Sequence, residues 1–69
     1  MNKVKEYRER KGMTQIDLSI ELAKVADIKI PTSTISAIEN DHTRCWPAWK
    51  AALSKALEVP EKDLFPEEN

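Results

Sequence analysis

Apolar residues recur three and four positions apart along most of this chain, and prolines break the recurrence. Val4, Tyr7, Arg8 and Lys11 share one face, so the spacing predicts a first helix from about Asn2 to Lys11. Gly12, the only glycine, suits the residue after a helix end. A second helix begins at "TQID": Thr14 can cap it and Asp17 can complete a capping box. Leu18, Leu22, Val25 and Ala26 form its core stripe. "QIDLSIEL" also alternates like a strand, but the cap and the i+4 pattern favour helix. "ADIKIP" interrupts the pattern, because Pro31 disfavours helical geometry at Ile30 and suits a new helix start. A third helix therefore covers Pro31 or Thr32 to Asn40. A fourth starts near Pro47, with Trp49, Ala52, Leu53, Ala56 and Leu57 as its stripe. Pro60 opens a short fifth turn through Phe65, and Pro66 ends it. The fold class is all-α, a compact five-helix domain.

The third helix has an unusual outer face. With Ile35 set inward and a step of about 100° per residue, Ile38 and Pro31 also fall inward. Ser33, Ser36, Ala37 and Asn40 fall outward, and Thr32 stands at the exposed N-terminal end. An ordinary surface helix carries Glu, Lys and Arg, which form helices better. Short hydroxyl and amide side chains let a helix lie close against something. They can exchange hydrogen bonds with base edges and phosphates, and Thr and Ala methyls can meet a thymine methyl. A plain polar face is the simpler reading of this segment taken alone.

Glu39 adds a second clue. It lies about 40° from Ile35, on the core flank, and Arg8 lies about 40° from Val4 on the apolar face of the first helix. An unpaired buried carboxylate costs several kcal/mol, on the order of a lost ion pair. One acid and one base aimed inward from different helices are expected to meet.

At 69 residues the chain is one small domain over residues 1–69, with its two central helices at about 14–40 and an acidic tail at 66–69. A core of this size leaves little room for an enzyme cleft, so an enzyme is not expected. One cysteine forms no internal disulfide and fits a reducing compartment. No apolar run reaches membrane-span length and the first residues are too charged for a signal peptide, so a cytoplasmic protein with no membrane partner is expected. The net charge of −1 does not point to nucleic acid. Its distribution is uneven: Lys3, Lys5, Arg8, Arg10 and Lys11 lie at one end, and Glu61, Asp63, Glu67 and Glu68 at the other. Such asymmetry can orient a protein on an anionic partner or be an ordinary solvated surface.

"YRERKGMTQIDLS", "STISAIEN" and "SKALEVPEKDLF" together resemble the Cro/lambda-repressor-type helix-turn-helix DNA-binding family, over about Val4 to Phe65. The resemblance implies that Arg8 and Glu39 form an internal ion pair and that Thr32, Ser33, Ser36 and Ala37 face the major groove of double-stranded DNA. It implies that Gln15 meets phosphate, and that Asn40, His42, Thr43 and Arg44 approach the backbone. The second helix of such a motif enters the groove while the first crosses the backbone. Lys29 and Arg44, with Lys50, are the few basic residues near that face. The chain departs from the family in three places. The connector "AKVADIKIP" is longer, has no glycine and implies an extended second helix. Pro31 stands where a capping serine is usual. Asp41 replaces the usual glycine after "EN".

Other candidate chemistry is thin. His42 has no partner at metal-ligand spacing, and Cys45 has no base placed by a motif. No glycine-rich phosphate loop is present, so no metal, cofactor or small-molecule substrate is expected. Trp49 reads as core, while Trp46 reads equally as a cover for that core or a partner contact. Ile16, Ile20 and Ala23 form a second apolar stripe roughly opposite Leu18 and Leu22. Either the connector folds over it through Ile28 or Ile30, or it is an exposed subunit interface.

The reading that joins these features is a sequence-specific DNA-binding transcriptional regulator, of the phage or mobile-element repressor kind. It is expected to act as a weak homodimer, formed in solution or only on DNA. The expected interface runs from Leu57 to Phe65, with the Ile16/Ile20 stripe as the competing surface. The alternative is a protein-interaction module on the same scaffold.

Overall fold

The computed structural model describes residues 1–66; Glu67, Glu68 and Asn69 of the expected acidic tail lie outside the described residues. Five helices follow one another: α1 (Val4–Arg10), α2 (Gln15–Val25), α3 (Thr32–Glu39), α4 (Pro47–Leu57) and α5 (Glu61–Leu64). No strand occurs among the described residues, so the alternation in "QIDLSIEL" is overridden by its helical stripe.

Each boundary has a local cause. The first helix begins at Val4, not Asn2, because the Asn2 side chain stands outside it and accepts the Val4 N–H at 3.1 Å. Gly12 then takes φ +70, and its N–H and that of Met13 return to the Glu9 and Arg8 carbonyls. This left-handed closure suits glycine and stops α1. Thr14 and Asp17 form a reciprocal capping box: Thr14 Oγ1 accepts the Asp17 N–H at 3.1 Å, and Asp17 Oδ2 accepts the Thr14 N–H at 2.9 Å.

The connector resolves differently from the expected extension of α2. The helix ends at Val25, and Asp27 supplies the left-handed turn at φ +52 in place of a glycine. Ile30 then drops into the core, 1% exposed, and Ser19 Oγ donates to its carbonyl at 2.8 Å. Ile28 packs partly buried against the same core. Neither isoleucine covers the second stripe on α2, since Ile16 and Ile20 remain 62% and 55% exposed.

Leu18 and Leu22 of α2, Ile35 and Ile38 of α3, Leu53 and Leu57 of α4, Val4 and Leu64 form one continuous core. Trp49 packs against it half-buried, and Val59 does likewise. Leu57, Leu64 and Phe65, which close the core from the segment expected to carry a dimer interface, are buried inside the monomer. A side chain already removed from water by its own domain has no further apolar surface to offer a partner. The C-terminal segment closes the core and is held to the start of α1, where the Lys3 N–H donates to the Leu64 carbonyl at 2.8 Å.

Candidate nucleic-acid interface

The site rests on one buried ion pair. Arg8 and Glu39 are each 7% exposed, and Arg8 Nε donates to Glu39 Oε2 at 2.6 Å while Nη2 reaches Oε1 at 3.3 Å. A third arm, Nη1, donates to the Met13 carbonyl at 2.7 Å, so the guanidinium also fixes the turn after α1. The hydrogen bond to Glu39 raises the Arg8 pKa above its ordinary value, against the opposing effect of burial. No buried side-chain polar atom among the described residues lacks a partner. That completeness is what makes a buried charge pair tolerable in so small a core.

Gln15 joins this network. Its Nε2 donates to Glu39 Oε1 at 3.1 Å, so the first residue of α2 is tied to the last residue of α3. In this state its amide nitrogen serves the protein, whereas the resemblance implied a contact with phosphate.

At the same C-terminal end of α3, the Asn2 Nδ2 donates to the Ile38 carbonyl at 2.7 Å and to Asp41 Oδ1 at 3.0 Å. Asp41 takes φ +57, and its N–H and that of His42 return to the Ile38 and Ala37 carbonyls. The aspartate thus fills the left-handed position that a glycine would occupy more easily, and Asn2 steadies it. Sequence reasoning overlooked Asn2. An asparagine two residues before an apolar stripe is a cap-type signal at most, and its reach to α3 has no local trace.

The outer surface of α3 is short and uncharged. Ser33 and Asn40 are exposed, and Thr32, Ser36 and Ala37 are half-buried. Asn40 folds back on its own helix, its Nδ2 donating to the Ser36 carbonyl at 2.8 Å. α3 has no acidic side chain in its first turn and no basic one in its last turn to offset the helix dipole. Pro31 stands at the N-cap without a side-chain cap.

Beyond α3, His42, Thr43 and Arg44 are exposed, as is Lys29 in the connector. The Arg44 guanidinium lies 5.1 Å from the centre of the Trp46 ring, and Trp46 is half exposed. Trp46 therefore does not cover the core; it precedes Pro47 at the start of α4 and offers a face to a cation. Cys45 between them is half-buried, and burial pushes its thiol pKa up to about 11. Such a thiol is a poor nucleophile at neutral pH. No group of three or more His, Cys, Asp or Glu residues able to hold a metal ion occurs among the described residues.

With this geometry in hand, comparison with protein families is decisive: the helix-turn-helix family matches residues 4–44, more than half of the chain. The chain belongs to the helix-turn-helix family. The match takes in α1, α2, α3 and the loop as far as Arg44, so it includes the ion pair, the capping box and the whole outer face of α3. Comparison with curated proteins and with solved structures gives no match. The domain is accordingly a DNA-binding regulatory helix-turn-helix unit. No helix among the described residues is long and apolar enough to cross a membrane.

Proposed function

We propose that this domain is a sequence-specific transcriptional regulator, of the phage or mobile-element repressor kind, that reads the major groove of duplex DNA with α3. The observation that carries the reading is the outer face of α3. It is short, polar and free of charge, on a helix anchored twice at its C-terminal end: by Arg8 and Gln15 at Glu39, and by Asn2 at Ile38. Rigid placement of a short-side-chain face allows close approach to base edges.

Thr32, Ser33, Ser36 and Ala37 are the base readers in this proposal. Gln15, Lys29, Asn40, His42, Thr43 and Arg44 meet the sugar-phosphate backbone. Gln15 then has two duties, since its amide carbonyl stays available while its nitrogen holds Glu39. With so few cations at the face, phosphate neutralisation is modest and the salt dependence shallow. A single small domain covers too little DNA for high specificity, so two copies act on a two-fold site.

The test is selection from random-sequence duplex DNA, preceded by titration at low and moderate salt. Enrichment of a defined half-site supports the reading. No binding even at low salt overturns it and favours a protein-interaction module on the same scaffold.

A further inference from the structure

Two of the four exposed large apolar side chains among the described residues stand together on the outward face of α2. Ile16 and Ile20 are 62% and 55% exposed, and Ala23 is exposed beside them. At about 100° per residue they lie within about 60° of one another, centred opposite Leu18 and Leu22. Asp17 and Lys24, also exposed, flank the stripe together on one side. A row of this kind costs solubility and is not needed to close the fold.

We propose that this face is the contact between two copies of the chain, with the two α2 helices antiparallel about a two-fold axis at Ile20. The argument is the self-complementarity of the stripe. A two-fold axis through the middle of a helix pair brings each flank of one copy against the same flank of the other, with the helix direction reversed. Ile20 then meets Ile20. On one flank, Ile16 of each copy sits over Ala23 of the other, a large side chain over a small one. On the opposite flank, Lys24 of each copy meets Asp17 of the other, a cation against an anion. The three pairings share one centre, within about one residue or 1.5 Å of rise. An unrelated partner would have no cause to find both size and charge matched about a single point of the helix.

The contact is small. Two isoleucines and an alanine per copy fall well short of the roughly 20–30 residues a side of a standard interface. The dimer is therefore weak and concentration-dependent. The proposal does not rest on the DNA reading and is tested without DNA.

Sedimentation equilibrium of the full chain over a wide concentration range is the first measurement. The unaltered chain is expected to associate reversibly. Ile20→Glu should abolish association with the melting temperature kept, since the residue is exposed. Lys24→Glu should weaken it about two- to thirty-fold, the scale of the two symmetry-related exposed ion pairs it removes. In a Cys45→Ser background, Ile20→Cys should form an intermolecular disulfide faster than Ala48→Cys, an exposed control on α4. A chain that stays monomeric at every concentration overturns the proposal. So does full association by Ile20→Glu, or equal cross-linking at positions 20 and 48.

Discussion

Gln15 Nε2 donates to Glu39 Oε1 at 3.1 Å, while Arg8 holds the same carboxylate from the other side at 2.6 Å. Three helices thus converge on one buried carboxylate. α1 supplies the cation, α2 the amide and α3 the acid, so the relative setting of the three is fixed at a single point. The pair contributes less by its attraction than by the penalty that follows its loss.

Glu39→Ala strands the Arg8 guanidinium in the core and is expected to cost about 3–5 kcal/mol, most of the stability of a domain this size. Urea denaturation followed by tryptophan fluorescence would measure it. Arg8→Met combined with Glu39→Leu should restore part of the loss, because no unpaired charge then remains buried. An unchanged denaturation midpoint in Glu39→Ala would contradict the account.

Gln15→Ala removes one donor from a carboxylate that keeps its two contacts to Arg8. Its stability cost should be only about 0.5–1.5 kcal/mol. On DNA, by contrast, the same change should lower affinity for all sequences alike. Ser33→Ala and Ser36→Ala should shift preference at one or two base pairs by about 1–3 kcal/mol. Arg44→Ala should flatten the salt slope by about one unit. Uniform losses from the serine variants would remove those residues from the reading face.

Asp27 turns the chain after α2 at φ +52, a conformation that costs an L side chain energy and a glycine little. Asp27→Gly is therefore expected to stabilise the domain by about 0.5–1 kcal/mol after allowance for the freer unfolded chain. Thermal denaturation decides it. A lower melting temperature would mean that the aspartate side chain contributes more to the connector than its exposed position suggests.

Burial raises the Cys45 pKa from about 9 to about 11, so the folded chain keeps this proton where the unfolded chain has lost it. Between those values the native state binds more protons than the unfolded one, and stability must fall as pH rises. Below about pH 9 the thiol makes no contribution to the pH dependence. Comparing urea midpoints of the unaltered chain and Cys45→Ala from pH 7 to pH 11 isolates the effect: the two should diverge only in the alkaline range. Alkylation of the native thiol at neutral pH should be slow relative to the unfolded chain.

Most of the helices could be read from the residues because an amphipathic helix is a local object. The stripes of α2 and α4, the Thr14–Asp17 box and the Gly12 stop all lie within a few turns of chain, where periodicity and capping act. Arg8 and Glu39 could also be read, since a charge on an apolar face requires a partner and there was one of each sign. The outer face of α3 stood out for the same reason: its residues are poor helix formers wherever packing does not demand them. What could not be read are the other meetings between segments. Asn2 reaches Ile38 across 36 positions, Gln15 reaches Glu39 across 24, and Ser19 reaches Ile30 across 11. A side chain's pattern says which way it faces on its own helix, not which neighbour stands there. Leu64 and Ile20 illustrate the point: both are apolar at helical spacing, yet one is fully buried and the other more than half exposed. The difference lies in where α4, α5 and the connector come to rest, and that is settled by the packing of all five helices around one core.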